Sequence, residues 1–255
     1  MSRIVVKVGS NVLTRRDGTI DVTRVSSLVD QIAMLRSAGY QVILVTSGAV
    51  ACGRSILGAE ADLDNVEQRQ VFSSVGQVLL MDLYHTFFRN YDITIGQVLT
   101  MKENFTPGAL YDNQKGCMEA MLKSGVLPIV NENDTVSITE LMFTDNDELS
   151  GLISTMMEAE TLVILSNIDG VYDGDPALLE SRLIRTISSA QDHSGCICES
   201  KSSHGRGGMQ SKYHIARTVA SSGIRVMIAN GKREDILCRI VLEPSQDTPY
   251  TEFVK

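Results

Sequence analysis

The sequence predicts an α/β fold, a doubly wound and largely parallel sheet covered by helices. Continuous β-branched runs recur along the 255 residues, and amphipathic helical patterns separate them. The composition, with 43% hydrophobic and 21% charged residues, provides enough apolar material for one large core. Because α/β domains often reach ~250 residues, we expect a single domain over residues 1–255.

Six runs are candidate strands because they are apolar and continuous, as strands buried on both faces are. They are Ile4–Val8, Val42–Val45, Ile93–Leu99, Val126–Val130, Leu162–Leu165 and Ile224–Ile228. Val136–Phe143 alternates more loosely, and we expect a hairpin there. Ser188–Gly208 is rich in Ser, Gly, Cys and His and lacks periodicity, which predicts a long mobile loop.

Helical periodicity fills the intervals between these strands. Between Val22 and Leu35, apolar residues recur at three- and four-residue steps, which predicts a helix ending near Gly39. A second ridge at four-residue spacing comprises Val71, Val75, Leu79, Leu83 and Phe87. A third pattern comprises Ile215, Val219 and Ala220.

Charge and cysteine usage exclude several classes of function. Lys and Arg total 23 and Asp and Glu total 31, and the resulting net charge of −8 argues against nucleic-acid binding. The five cysteines are scattered and odd in number, which indicates a reducing compartment. No apolar segment approaches ~18 residues, and the N-terminus does not resemble a signal peptide. We therefore expect a cytoplasmic protein with neither nucleic-acid nor membrane partners.

Small and polar residues follow the candidate strands. In open α/β sheets, ligands bind outside the carboxyl ends of the strands. We therefore expect these segments to line one crevice. They are Lys7–Asn11, Ser47–Ala49, Asn131–Asp134, Ser166–Asn167 and Asn230–Gly231.

Lys7 lies inside an apolar strand, where an unpaired ammonium group is costly to bury. It needs an anion partner or a path to solvent, and a bound phosphate would supply the anion. The alternative is an edge-strand lysine whose ammonium group extends to water. Gly9 follows, and glycine allows backbone N–H groups to approach a phosphate closely, which favours the phosphate.

Two glycine-containing segments precede candidate helices. Ser47–Ala51 would present free N–H groups to an anion at a helix N-terminus, although Ser47 alternatively acts only as an N-cap. Gly205–Lys212 carries glycine and lysine in the order that a phosphate site needs, but it is not a P-loop and is alternatively a flexible loop. Together, Lys7 and Lys212 predict two cations that flank a transferring phosphoryl group.

Carboxylates and amides cluster in two segments. The acids of Asp145–Glu148 would orient lysines or hold a metal, or alternatively would only stabilise the first turn of a helix. Together with the side chains of Asn131–Asp134, these carboxylates and amides are more numerous than one helix cap requires. This excess indicates a polar substrate with its own ammonium and carboxylate groups. Cys196 and Cys198 lack the usual spacing of a zinc site, and no histidine has a nucleophile-elbow context.

These motifs together resemble those of the amino acid kinase family, and the resemblance covers essentially the whole chain. The matching segments follow the order of the family. They are Val6–Ser10, Ser47–Gly53, Ser74–Gln77, Asn131–Asp134, Asp145–Ser150 and Gly205–Lys212.

The resemblance implies a three-layer αβα sandwich with nucleotide and amino-acid sites side by side. It implies ATP-dependent phosphorylation of the γ-carboxylate of L-glutamate to γ-glutamyl 5-phosphate, the first step of proline biosynthesis. It further implies Mg²⁺ bound to the phosphates, feedback inhibition by L-proline and a homo-oligomer. Many relatives carry a C-terminal RNA-modification-type domain, and we expect none in residues 1–255.

The resemblance also implies roles for individual residues. The catalytic set is Lys7, Lys212, Asp147 and Asp145, with the lysines on the phosphates and the acids, chiefly Asp147, orienting them. The glutamate-binding set is Ser47, Gly48, Asp134, Asn146 and Asn131. The ATP-binding set is Lys7, Gly9, Ser166, Asn167, Arg206, Gly207, Gly208, Met209, Gln210, Ser211 and Lys212. Asn167 stands where many relatives have Asp.

Other functions compete with this interpretation. Acetylglutamate, carbamate and uridylate kinases share the family, and the polar residues at Asn131–Asp134 and Asp145–Asp147 favour a free amino acid over their substrates. A non-catalytic amino-acid or nucleotide sensor would not need both Lys7 and Lys212. A nicotinamide-binding protein is disfavoured because no Gly-x-Gly-x-x-Gly follows the first strand.

Overall fold

A computed structural model of the chain describes residues 2–58, 63–137, 143, 145–178, 180–190 and 208–255. These residues form one eight-stranded sheet in the order β3-β4-β2-β1-β5-β7-β8-β6. The strands are β1 (Arg3–Val8), β2 (Gln41–Thr46), β3 (Ile95–Thr100), β4 (Leu127–Glu132), β5 (Thr161–Ser166), β6 (Thr186–Ser188), β7 (Arg225–Asn230) and β8 (Tyr250–Val254).

Helices cover both faces of this sheet. Within the described residues they are α1 (Ser10–Leu13), α2 (Val22–Ser37), α3 (Ala49–Leu57), α4 (Asn65–Phe88), α5 (Ala109–Lys123), α6 (Asn146–Met156), α7 (Met209–Ser221) and α8 (Ile236–Val241). Short 3₁₀ turns follow α4 and β3, at Arg89–Tyr91 and Lys102–Phe105. None of the helices in the described ranges is both long and apolar enough to cross a membrane.

The central strands of the sheet are buried on both faces, which explains their continuous apolar runs. Ile4, Val6 and Val8 of β1 join a core with α2, α4 and α8, whereas Val5 joins a second core with α5, α6 and α7. Because side chains alternate along a strand, Lys7 shares the face of Val5 and points towards α6 and α7. The predicted fold class, a three-layer αβα sandwich around a largely parallel sheet, is confirmed.

Parallel pairing places several strand ends at one edge. Val8 of β1 pairs with Thr46 of β2 on one side and Leu165 of β5 on the other. Leu165 in turn pairs with Ala229 of β7. The residues that follow these four strands therefore meet at the same edge of the sheet. Only β8, antiparallel to β7, and β6, parallel to β8, run in the opposite direction.

The buried face of α4 differs from the predicted one. The ridge from Val71 to Phe87 is at best half-buried, and Val71 itself is 38% exposed. The residues that pack inward lie one position later and are Phe72, Gly76, Leu80, Tyr84 and Phe88. Both rows have four-residue spacing, but the true row includes a glycine and a hydrogen-bonding tyrosine, which hydrophobicity alone does not select.

Two of the predicted irregular segments lie largely outside the described residues. In Val136–Phe143, only 136, 137 and 143 are described, and 136 lies in a turn. In Ser188–Gly208, the described residues are 188–190 and 208. The hairpin and the long loop therefore stay predictions.

Candidate active site

A cavity of about 690 Å³ opens at the carboxyl edge of the central strands. It brings together fourteen of the predicted site residues, namely Lys7, Gly9, Ser47, Gly48, Asn131, Asp134, Asp145, Asn146, Asp147, Ser166, Asn167, Gly208, Met209 and Lys212. Ser211 lies one layer behind, where its hydroxyl donates to Asp145. Gln210 is exposed on α7 and does not line the cavity, and Arg206 and Gly207 lie outside the described residues.

Asp147 lies between the two predicted phosphate-binding lysines. Nζ of Lys7 is 2.5 Å from its Oδ1, and Nζ of Lys212 is 2.9 Å from its Oδ2. The Asp147 side chain is 1% exposed, whereas Lys212 is 12% exposed and lies nearer the cavity. Two ammonium groups thus share one carboxylate, which leaves one net positive charge for an incoming anion.

The charge of Asp147 depends on these lysines. Burial by itself raises the pKa of this carboxyl, but the charges and hydrogen bonds of Lys7 and Lys212 outweigh burial and hold the pKa below its ordinary value. Asp147 is therefore ionised at neutral pH and fixes both ammonium groups. The edge-strand alternative for Lys7 is wrong, because β1 is central and its lysine pairs with Asp147.

Asp145 has a different role from Asp147. It caps α6, its Oδ1 accepting from the backbone N–H groups of Asp147 at 2.9 Å and Glu148 at 3.1 Å. Its Oδ2 accepts from the Ser211 hydroxyl at 2.6 Å, which ties α6 to the start of α7. Asp145 thus aligns the two helices that carry Asp147 and Lys212, whereas the ion pairs of Lys7 and Lys212 are made with Asp147.

Glycines at the edge of the cavity leave backbone N–H groups accessible to a ligand. Gly48 and Gly208 are the N-cap residues of α3 and α7, and glycine has no side chain to accept from the first N–H groups of a helix. Gly48 also adopts φ +106°, which favours glycine. A Cβ on Gly9 would lie 3.3 Å from Lys7 Nζ, so glycine leaves room for the ammonium group. Both helix N-termini are suited to bind anions.

An amide network lines the other side of the cavity. Nδ2 of Asn146 donates to the Thr46 carbonyl at 2.7 Å and to Ser47 Oγ at 2.9 Å. It also lies 3.1 Å from Asn131 Oδ1, while Asn131 Nδ2 donates to Gln77 Oε1 at 3.0 Å. The network connects the ends of β2 and β4 with α6, as predicted from their common edge.

The sequence analysis did not predict an ion-pair cluster that lies on the same side of the cavity as the amide network. Arg69 of α4 lies 2.8 Å from Glu132 and also pairs with Asp134. Arg69 and Glu132 both line the cavity. Glu132 additionally accepts from the Phe143 backbone N–H at 3.1 Å. Arg69 precedes its partners by more than sixty residues on a different element, so no local spacing indicates the contact.

Helix α4 supports the cavity from behind. The hydroxyls of Tyr84 and Thr46 are 2.8 Å apart, and Thr46 Oγ1 donates to the Ser47 carbonyl at 3.0 Å. A Cβ on Gly76 would lie 1.8 Å from the Ala49 carbonyl oxygen, so only glycine allows α4 this close to α3. The segment Ser74–Gln77 therefore packs and orients other residues and contributes no residue to the cavity lining.

A second ion pair lies beyond Ser166 and Asn167 at the predicted nucleotide side. Asp169 binds Arg233 through two hydrogen bonds, of 2.6 Å from Nε and 2.7 Å from Nη2. Asn230 donates to the same carboxylate at 3.1 Å. The hydrogen bond from Arg233 lowers the pKa of Asp169 against the opposing effect of burial. These contacts join the ends of β5 and β7.

The acids of the cavity are already engaged by protein donors. Lys7 and Lys212 bind Asp147, and Asp145 accepts from two backbone N–H groups and Ser211. In the part of the chain that the structure describes, no group of three or more His, Cys, Asp or Glu is placed to hold a metal ion. The two lysines and the helix N-termini of the cavity suit an anionic ligand.

Comparison with known proteins identifies the family. The model of the amino acid kinase family matches residues 2–230. The chain is 58% identical over 253 residues to a glutamate 5-kinase of Bacteroides thetaiotaomicron, covering 99% of this chain and 70% of that protein. It is 46% identical to a glutamate 5-kinase of Chlorobaculum tepidum, covering 92% of this chain and 65% of that protein.

A solved structure with low sequence identity has the same fold. Carbamate kinase from Giardia lamblia, bound to AMP-PNP, superimposes with a TM-score of 0.71 at 14% identity, covering all of this chain and 98% of that one. At this identity the likeness concerns the fold alone. The family assignment depends on the matched domain and on the closer relatives. The chain belongs to the amino acid kinase family.

Proposed function

We propose that this chain transfers the γ-phosphoryl group of ATP to the γ-carboxylate of L-glutamate, giving γ-glutamyl 5-phosphate and ADP, the first step of proline biosynthesis. The observation that carries the proposal is the pair of lysines held on Asp147 at the bottom of the cavity. The 58% identity to a protein named glutamate 5-kinase supports the choice of acceptor.

The proposed chemistry needs no general base. A carboxylate is already a nucleophile, so an oxygen of the glutamate γ-carboxylate attacks the γ-phosphorus of ATP as the bond to the ADP oxygen breaks. Catalysis then consists of alignment and charge neutralisation. Lys7 and Lys212 offset the negative charge on the transferring phosphoryl group, and Asp147 keeps their ammonium groups in place.

The glutamate site lies on the β2–β4 side of the cavity. Ser47 and Asn146 would donate to substrate carboxylate oxygens, and the carboxylate of Asp134 would accept from the α-ammonium group. Gly48 would bring the N-terminus of α3 to the reacting end of the substrate. Asn131 orients Asn146 through their 3.1 Å contact.

The nucleotide site lies on the β5–β7 side. Ser166 and Asn167 line the cavity beyond Leu165, and Gly208 starts the helix that carries Lys212. We propose that the segment 206–212 binds the ATP phosphates. Magnesium would arrive with ATP as part of the nucleotide substrate, bound through phosphate oxygens, as is usual for nucleotide enzymes.

A coupled ADP-release assay tests the activity. Enzyme, ATP and magnesium are mixed separately with L-glutamate, N-acetyl-L-glutamate, carbamate or UMP, and hydroxylamine traps any acyl phosphate. We expect ADP release and γ-glutamyl hydroxamate with L-glutamate alone. ADP release with another acceptor would assign a different kinase activity. Binding of ATP without ADP release on any acceptor would indicate a sensor.

The remaining proposals concern the whole protein. We propose one amino acid kinase domain over residues 1–255, since a single sheet contains strands from Arg3 to Val254. Free thiols at Cys52, Cys117 and Cys238 support a reducing, cytoplasmic location. We also propose feedback inhibition by L-proline, the end product, and a homo-oligomer. Proline titration of the assay and light scattering on the purified protein test these two points.

A further inference from the structure

We infer that Arg69 is a positioning residue for recognition of the amino group of the substrate, because it holds Asp134 in the orientation that receives the ammonium group. The inference rests on the proposed function, in which Asp134 binds the amino group of L-glutamate. Arg69 itself need not contact glutamate. Its effect would pass through the carboxylate of Asp134.

The contacts of Arg69 form a chain from backbone to cavity. The Phe143 backbone N–H donates to Glu132 Oε1, and Nη2 of Arg69 lies 2.8 Å from Glu132 Oε2. The same Nη2 also donates to Asp134 Oδ1. Glu132 thus anchors the guanidinium group, and the guanidinium group holds Asp134.

Burial makes this arrangement rigid. The side chain of Glu132 is 1% exposed, that of Asp134 is 9% exposed and that of Arg69 is 18% exposed. A carboxylate with so little access to water depends on its protein partners for orientation. Charge-assisted hydrogen bonds to a planar guanidinium group also have well-defined geometry. Removing Arg69 would therefore remove a charge-assisted contact that orients Asp134.

Arg69, Gln77 and Tyr84 are polar side chains with which α4 reaches residues at the strand ends. Gln77 accepts from Asn131, and Tyr84 bonds with Thr46. Arg69, Gln77 and Tyr84 follow each other at steps of eight and seven residues, or about two helical turns. They therefore lie along one side of α4. Arg69 is the member of this row that lines the cavity.

The test measures steady-state kinetics in a background that stays folded without Arg69. Removing Arg69 alone would leave the buried Glu132 charge without its guanidinium partner, which destabilises proteins strongly. The variant Glu132→Gln removes this charge and keeps an oxygen for the Phe143 N–H. The comparison is therefore Glu132→Gln against Arg69→Met/Glu132→Gln, with circular dichroism to verify folding.

We expect Arg69→Met to raise KM for L-glutamate by about tenfold or more in this background, the effect of losing a charge-assisted hydrogen bond. The KM for ATP and kcat should change by less than about threefold, because the lysines and Asp147 are untouched. Arg89→Met is the matched control, since it removes an exposed arginine just beyond the other end of α4. It should leave all three constants unchanged.

A double-mutant cycle tests whether Arg69 acts through Asp134. Asp134→Asn should raise KM for L-glutamate, and adding Arg69→Met to it should cause little further increase. An unchanged KM in Arg69→Met/Glu132→Gln, or independent and multiplying effects of the two changes, would overturn the inference. Wild-type protein that forms no γ-glutamyl hydroxamate would instead overturn the proposed function.

Discussion

Lys212 donates to Asp147 and faces the cavity, so replacing it tests the charge on which transfer depends. We expect Lys212→Ala to lower kcat by about 100-fold, the scale of losing one preorganised charge contact to a transition state. Lys115→Ala is the control, because Lys115 forms only a surface ion pair with Glu158. Near-normal kcat in Lys212→Ala would remove this lysine from the mechanism.

The ion pairs of Asp147 also predict how stability depends on pH. Its pKa is lower in the folded than in the unfolded chain, so its ionisation stabilises the fold above the ordinary value of 3.8. That stabilisation is lost as the pH falls through the folded pKa. We expect Asp147→Asn to cost about 3 kcal/mol at pH 7, as breaking a buried ion pair does.

Urea unfolding across pH 3 to 7 measures this dependence. The free-energy difference between wild type and Asp147→Asn should stay constant from pH 7 to about pH 5 and narrow below about pH 4. Asp112→Asn is a control, because Asp112 is exposed on α5. A difference that persists undiminished at pH 3 would show that its source is not the ionised carboxylate.

Residues of the site were predictable where they lie at, or just after, the carboxyl end of a strand. Lys7, Ser47, Asn131 and Ser166 are examples, because parallel strands bring their carboxyl ends together. Arg69 was not predictable in this way. It lies in the second turn of a helix, and its role appears only through the position of that helix over β4. Contacts between distant elements need tertiary structure.

At the scale of elements, the approach of α4 to α3 depends on Gly76. A Cβ there would lie 1.8 Å from the Ala49 carbonyl oxygen and 2.4 Å from the Gly53 nitrogen. Both are backbone atoms, so the helices must separate. We expect Gly76→Ala to destabilise the fold by about 3 kcal/mol, the upper end for overpacking, and to raise KM for glutamate by moving the N-terminus of α3.

Gly116→Ala is the matched control for this change. Gly116 also lies in a helix, but its added Cβ would meet no atom within 4 Å. Because alanine favours helix over glycine, we expect Gly116→Ala to stabilise the protein by about 0.5 to 1 kcal/mol. Thermal unfolding measures both variants. Equal effects at the two positions would contradict the close packing of α3 and α4.

Individual helices were predictable to different degrees. The stripe of α2 identified its buried face well, since Val25, Leu28, Ile32 and Leu35 are all buried. In α4, the same reasoning selected a row beside the buried one. The buried face of α4 also includes Gly76, placed by its contact with α3, and Gln77, placed by its hydrogen bond from Asn131. Because part of the buried face of α4 is polar or small, hydrophobic periodicity did not identify it.

At the scale of the molecule, β8 lies between β7 and β6 and joins these two strands in one sheet. It pairs antiparallel with β7 and parallel with β6, and Phe253 is fully buried against Tyr213. Deleting residues 249–255 would expose the edge of β7 and remove this aromatic side chain. We expect a loss of at least about 3 kcal/mol and concentration-dependent aggregation.

Removing only Lys255 provides the control for this truncation, since Lys255 is exposed and lies beyond β8. It should leave the unfolding midpoint unchanged. Chemical unfolding and light scattering measure the two truncations. Wild-type stability in the chain that ends at Thr248 would show that the sheet does not need its last strand.

The six parallel strands were predicted from their apolar runs. Five of them are buried by helices on both faces, whereas β3, at the edge of the sheet, is largely half-exposed. The strands β6 and β8 were missed for different reasons. Thr186–Ser188 has only three residues, and Tyr250–Val254 alternates between half-buried and buried positions. Short or half-exposed strands such as these carry a weaker apolar signal, since part of their surface faces solvent.

The two lysines occupy parts of the molecule with different resistance to opening. Lys7 belongs to β1, which is paired on both sides at the centre of the sheet, whereas Lys212 lies in the first turn of α7. Amide hydrogens of β1 should exchange among the slowest in the chain, and those at the start of α7 much faster. Heat would therefore separate the two cations before the sheet melts, and inactivation would precede loss of the fold.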